Sequence, residues 1–160
     1  MRLSLVEIVL VLTAVAIVAF AALRLGSQHG GGARAVVASW VRTPGVLNPA
    51  VTQATIRSTI CTSGWTRTVR PPVTYTNRLK RLQLAEYGLR GPLAGFQEDH
   101  LISLELGGNP TDPRNLWPEP YPRAAAVDRI ENQLNHEVCT GVLSLADAQR
   151  KESALKHTDG

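Results

Sequence analysis

The feature that most constrains this chain is an apolar run at its N-terminus. Ile8 to Leu23 is 16 residues long, and Thr13 alone breaks its polarity. From Leu3 to Leu25 the stretch covers 23 residues. A spanning helix takes ~20 apolar residues, and the core of a signal peptide only ~7–15. The run stands between those lengths. Residues 1–25 are therefore expected to form a transmembrane signal-anchor helix, or a signal peptide cleaved after Ala21. Arg2 precedes the run and Arg24 and Arg34 follow it, so flanking charge does not set an orientation. The apolar side chains of such a segment belong to lipid, and the folded domain must come from the rest of the chain.

Residues 26–47 begin with GSQHGGGA and read as a flexible linker. The compact domain is expected over 48–158. The whole chain has 160 residues, 44% apolar and 19% charged, which excludes wholesale disorder. Its 13 Gly and 10 Pro follow no G-X-Y period, which excludes collagen. The sequence carries no oligomerisation signal. Cys61 and Cys139 are 78 positions apart, so no CxxC zinc or redox motif is possible. Behind an export segment, such a pair points to a disulfide in an oxidising compartment. That places the chain in the cell membrane as a single-pass protein with the domain extracytoplasmic, or outside the cell after signal cleavage. Two buried thiols are the alternative.

Patterning gives a mixed α+β domain. Thr52 is placed to cap a short helix running to Cys61. Trp65–Val69 alternates and is rich in strand formers. A helix is expected from Thr76 or Asn77 to Tyr87, stopped by Gly88, with Leu79, Leu82 and Leu84 toward the core. Leu101–Leu106 reads as a strand and Gly107-Gly108-Asn109 as a turn. Ala124–Val138 is an amphipathic helix with Val127, Ile130, Leu134 and Val138 on one face. Ser144 and Asp147 open a last helix that reaches about Lys156.

Charge is divided along the chain. Residues 57–90 hold seven basic groups against Glu86, a net of +6. Residues 98–147 hold nine acids against Arg114, Arg123 and Arg129, a net of −6. This division suits a site that binds a polyanion and holds a cation, and equally suits two complementary solvated surfaces. Arg114, Arg78 and Arg81 are the candidate nucleic-acid contacts. Arg114 has an alternative as the salt-bridge partner of Asp112 or Glu119.

The chemistry-bearing string is Asp99-His100, then Gly107-Gly108-Asn109, then Asn115-Leu116-Trp117-Pro118. A carboxylate that holds a divalent cation beside an imidazole that deprotonates water is a workable hydrolytic pair. An Asn some fifteen residues on can tie the intervening loop through both ends of its amide. The string resembles the HNH, or His-Me finger, endonuclease motif over about residues 98–137. It is also similar to small exported bacterial proteins with DHL…LELGG…NLWPEP strings, a likeness covering roughly 50–150. The HNH resemblance implies a small helical domain containing a ββα-metal hairpin-helix unit. It implies Asp99 as a metal ligand, His100 as general base and Asn115 as the residue orienting the loop. It further implies one divalent metal ion (Mg²⁺, Mn²⁺ or Zn²⁺) and a DNA or RNA substrate.

Two positions depart from that motif. The last ligand, a His or Asn on the helix, falls at Ala124, and the usual Pro after Asp-His-x-x is Ser103. At 100° per residue, Asp128 and Glu131 fall on a stripe beside the apolar face, so either can replace the helix ligand. An ordinary wet helix flank is the alternative for both. The competing function is a non-catalytic envelope domain that keeps the finger as a structural or a protein- or glycan-binding unit.

Overall fold

The computed structural model describes residues 36–159, and the expected membrane segment, residues 1–25, lies outside them. Among the described residues no helix is long and apolar enough to cross a membrane. The described chain is a mixed α+β domain. Its helices are α1 (Trp65–Val69), α2 (Val73–Glu86), α3 (Arg123–Cys139) and α4 (Leu145–Thr158). Strands β1 (Phe96–His100) and β2 (Leu116–Pro120) pair antiparallel, with Phe96 opposite Pro120 and His100 opposite Leu116. Pro118 and Pro120 fit β2 because each strand of a two-stranded sheet has a free edge, where a missing N–H costs nothing. Helix α3 starts directly after β2 and packs across both strands, while α2 packs on the same pair.

The main core joins Val51, Ile56, Ile60, Ile102 and Leu106 to Leu134 and Val138 of α3 and to Leu145 and Ala148 of α4. A second cluster holds Ala38, Leu101 and Trp117, with Tyr87 against it. Trp117 is fully buried, which makes it core, not a base-stacking platform. The start of α4 is capped as its sequence requires: the Ser144 hydroxyl accepts from the Asp147 amide at 3.1 Å.

Several expectations are corrected. Trp65–Val69 is helical, not extended. Its backbone is taken up locally, from Trp65 N to the Thr62 carbonyl and from Arg67 N to Gly64, and no strand lies beside it. β-propensity needs a partner strand to express itself. The strand expected at 101–106 lies just before it, in the polar run Phe96–His100, while Leu104–Leu106 forms a 3-10 turn. The apolar run is a fully buried bend: Leu101, Ile102, Leu104 and Leu106 are all buried, so it shows no alternation. The early helix shrinks to a 3-10 turn at Ile56–Ser58. Helix α2 begins at Val73, where Pro72 supplies a fixed extended φ before the first turn. It turns Leu82 to solvent and buries Lys80 and Gln83. Both polar groups satisfy carbonyls around the hairpin. Lys80 Nζ donates to Phe96 O at 2.7 Å, and Gln83 Nε2 to Leu116 O and Pro113 O.

The domain also starts earlier than the expected boundary at 48. Residues 36–47, read as linker, pack on it. Ala38 and Thr43 are buried, Ala38 N donates to the Lys156 carbonyl, and the Trp40 ring stacks on His157 at 3.6 Å. Hydrophobic pattern could not show this, because the segment is held by backbone and side-chain hydrogen bonds to α4 and Tyr87.

Cys61 and Cys139 form a disulfide, with Cα atoms 5.5 Å apart. It ties the segment after the 3-10 turn to the last residue of α3. Closing a loop of 78 residues should stabilise the fold by about 4 kcal/mol in the chain-entropy model. The Cys61→Ser/Cys139→Ser double variant is therefore expected to lose stability of that order in urea unfolding. A loss below about 1 kcal/mol would mean the loop is already restrained in the unfolded chain.

Candidate metal and hydrolytic centre

The candidate site is built by a bend that one side chain holds. Asn115 is fully buried at the start of β2. Its Nδ2 donates to the carbonyls of Ile102 and Asn109, and its Oδ1 accepts from the amides of Ile102 and Val46. Both ends of the amide are thus used to clamp the loop that follows His100. Gly108 lies against this clamp. A Cβ there would stand 1.7 Å from the Ile102 carbonyl oxygen and 2.6 Å from Asn115 Nδ2. Gly107 adopts φ +77°, which glycine alone takes freely. The pair of glycines lets the loop pass that close to Asn115.

The clamp carries Asp99 and His100 at the end of β1 to the wall of a polar cavity of about 50 Å³. Arg70, Gln97, Glu105, Asp128 and Glu131 also line it. His100 Nε2 lies 3.1 Å from the Pro110 carbonyl oxygen. A carbonyl only accepts, so Nε2 carries the proton and Nδ1 of the neutral ring keeps its lone pair. Burial lowers the imidazole pKa, with the neighbouring Asp99 charge opposing. The ring is therefore neutral near pH 7 and able to accept a proton.

Asp99, Asp128 and Glu131 each place a carboxylate oxygen within 4.8 Å of the others, close enough to share a metal ion. Gln97 Nε2 donates to Asp99 Oδ1 and Asp128 Oδ1 at 3.3 Å each. Its Oε1 accepts from the Tyr121 hydroxyl. The helix geometry expected from sequence thus brings Asp128 and Glu131 to Asp99. Ala124, where the motif would put its helix ligand, is fully buried in the packing.

The residue that sequence reasoning missed is Lys156. Its side chain is wholly buried, and Nζ lies 2.7 Å from Asp99 Oδ2, 2.6 Å from Glu131 Oε1 and 3.4 Å from Glu152 Oε1. It also donates to the His100 carbonyl. Burial favours the neutral amine, but Asp99, Glu131 and Glu152 together outweigh it, and the ammonium is held charged well above its usual range. Burial likewise pushes Asp99 upward, and Lys156 overcomes it to hold Asp99 ionised. Burial raises Glu131, the Lys156 ammonium 2.6 Å away draws it back toward the ionised form, and the charges of Asp99 and Glu152 add to the rise. Glu152 turns both oxygens to the Ser103 amide. Only Glu152, four residues before it on α4, is near it in sequence; its other partners come from β1 and α3.

Arg70 was also absent from the expected site. It follows α1 and lines the cavity; burial raises Glu105 and the Arg70 charge opposes that rise, while burial lowers His100 and Arg70 adds a small part. The three basic residues expected to contact nucleic acid are not brought there. Arg78 and Arg81 are exposed on α2 and do not line the cavity. Arg114 pairs with Asp112 at 2.7 Å, the alternative expected for it. No family model matches the chain, and no curated protein or solved structure matches it either.

Two tests follow from this geometry. Removing the Asn115 amide leaves the buried Ile102 and Asn109 groups unpaired, so Asn115→Ala should cost about 3 kcal/mol in urea unfolding. A change under about 0.5 kcal/mol would mean the loop holds itself. The second test is pH dependence. Burial raises Glu98 and Glu119 to about 8, with the charge of Asp99 adding to both. A carboxyl raised in the fold binds its proton more tightly there than in the unfolded chain. Its stabilisation is complete below the unfolded value and is lost as pH rises toward 8. His100, lowered, acts oppositely only below its usual 6.5. The melting temperature should therefore fall between pH 6.5 and 8.5, and Glu119→Gln should flatten the slope. A melting temperature that rises over this window would refute the assignment.

Proposed function

We propose that the domain is a metal-dependent phosphodiesterase of the HNH, or His-Me finger, type that cleaves nucleic acid. One observation carries the reading: a neutral His100 with a free Nδ1 lines the same polar cavity as the Asp99, Asp128 and Glu131 carboxylates. The order of elements supports it. Two antiparallel strands are followed by a helix that crosses them, with Asp99 and His100 on the first strand and Asn115 just before the second. That order is compatible with a ββα-metal unit.

The residues fit a hard divalent cation. Asp99 and Asp128 offer their Oδ1 atoms, Glu131 adds a third carboxylate, and an all-oxygen set suits Mg²⁺ or Mn²⁺ better than Zn²⁺. Bound there, the ion would supply positive charge to a phosphodiester and its leaving oxygen. His100 takes a proton from the attacking water at Nδ1, while its Nε2–H goes on donating to the Pro110 carbonyl and fixes the ring. Arg70, exposed at the cavity, offers its guanidinium to a phosphate oxygen. Asn115 keeps His100 in place by holding the loop behind it. The N-terminal apolar run and the disulfide support a membrane-anchored or secreted protein acting outside the cytoplasm.

A second reading has its own observation. Lys156 already neutralises Asp99 and Glu131, which would let the cluster serve as a structural ion-pair network in a non-catalytic envelope domain.

The deciding experiment is cleavage of plasmid and single-stranded DNA and RNA by the purified chain with Mg²⁺, Mn²⁺ or Zn²⁺. We expect cutting with Mg²⁺ or Mn²⁺. His100→Ala should lower the rate by about 10²-fold or more while leaving the fold and ion binding intact. Asp99→Asn should lose both cutting and ion binding. A wild type that cuts nothing with any ion, or a His100→Ala that cuts equally well, leaves the structural reading standing.

A further inference from the structure

The carboxylate cluster already contains a cation. Lys156 reaches into it from the last turn of α4, and its three hydrogens go to Asp99 Oδ2, Glu131 Oε1 and the His100 carbonyl. Two of the three side chains able to share a divalent ion therefore each give one oxygen to an ammonium. That ammonium is wholly buried, so water does not screen it from a second cation nearby. The acceptors outnumber what Lys156 can satisfy. Asp99 Oδ1 and Asp128 Oδ1 accept long, neutral bonds from the Gln97 amide. Glu119, fully buried beside Asp99 and raised to about 8 by burial and the Asp99 charge, keeps its proton near pH 7 and shares it with Asp99 in a hydrogen bond. On the Oδ1 side, where Gln97 stands, the acceptors are thus met by a neutral donor and not by a charge.

We propose that Lys156 is an internal competitor that holds down the cluster's affinity for a divalent cation and confines the ion to the Asp99 Oδ1–Asp128 Oδ1 side. The inference rests on the reading of Asp99, Asp128 and Glu131 as a divalent-cation site. Its logic is charge and geometry. The carboxylate charge of the cluster attracts a divalent ion, and ligand charge tunes such affinities over decades. One ammonium removes a unit of that charge and occupies the Oδ2 side of Asp99, so an ion on Oδ1 shares the carboxylate with a like-signed neighbour. The neutral Gln97 amide yields to an incoming ion more readily than the charge-assisted bonds of Lys156 do. Lys156 is here a positioning residue, since it acts on the ion through Asp99 and Glu131.

The test is Mn²⁺ titration of the full chain, followed by the electron paramagnetic resonance signal of the free ion. The variants are Lys156→Met, Lys156→Arg and the Lys156→Met/Asp128→Asn pair. Lys156→Met should bind Mn²⁺ about ten-fold tighter than wild type or more. Lys156→Arg keeps the charge and should bind as wild type does. Adding Asp128→Asn should remove the gain. A merely structural role predicts the opposite sign, weaker binding in Lys156→Met. Equal binding in wild type and Lys156→Met overturns the competition while leaving the cation-site reading intact. Absence of Mn²⁺ binding in both overturns that reading and the competition with it. Should Lys156→Met not fold in Na⁺ alone, thermal unfolding in Mn²⁺ decides. Recovery of a cooperative transition in Mn²⁺, and not in Na⁺ of equal ionic strength, supports the proposal, and failure in both overturns it.

Discussion

The Lys156 ammonium joins β1, α3 and α4 at one buried polar point. It binds Asp99 and the His100 carbonyl on β1, Glu131 on α3 and Glu152 one turn back on α4. Its own carbonyl accepts from Ala38, which seats the segment before the first core residues. Two oxygens of Glu152 in turn hold the Ser103 amide, just past the bend that Asn115 clamps. A buried ion pair of this kind adds little over an apolar replacement, but removing one partner alone costs about 3–5 kcal/mol because a bare charge is left behind. Its value here is geometric. The apolar contacts among Leu134, Val138, Leu145 and Ala148 pack α3 on α4, and the ammonium fixes how their polar ends meet the hairpin.

That geometry decides what the site can do. Asp99 faces two ways. One oxygen is given to Lys156, and the other, with Asp128, looks toward the cavity lined by His100. A carboxylate held ionised by a buried cation is a dependable ligand. It is also a ligand whose charge is partly spent. The same arrangement therefore supports a hydrolytic site of modest ion affinity and, in the structural reading, a self-contained ion-pair network. His100 separates the two in physical terms. The hydrolytic reading uses the Nδ1 lone pair as a base, whereas the structural reading leaves it idle.

The parts of the site that lie close together in the sequence were legible in it. Asp99-His100, the Gly107-Gly108 turn and Asn115 fall within one short stretch, and each acts locally. Asp128 and Glu131 were legible through helix periodicity, because α3 is long and regular. Lys156 was not, since it lies 57 positions from Asp99 and ends an ordinary-looking amphipathic helix. Arg70 stood only as one charge in a basic stretch. In the fold, long periodic helices were readable and short elements were not. After Phe96 the four residues of β1 are polar, because one face of the strand lies near Lys80 and the other meets the acidic cluster, so no alternation betrays them. The neighbouring Leu101–Leu106 run imitates a strand because burial from all sides also produces an unbroken apolar stretch. Trp65–Val69 carries strand-forming residues, yet its backbone is satisfied by a turn.

The central claim is that a divalent cation binds between Asp99 and Asp128 within reach of His100. Anomalous diffraction from crystals of the chain grown with Mn²⁺ tests it most directly. The account predicts one manganese peak in the polar cavity, bonded to Asp99 Oδ1 and Asp128 Oδ1, with the Gln97 amide displaced and Lys156 still on Asp99 Oδ2. A cavity without manganese, with Gln97 still bridging the two carboxylates, would contradict it.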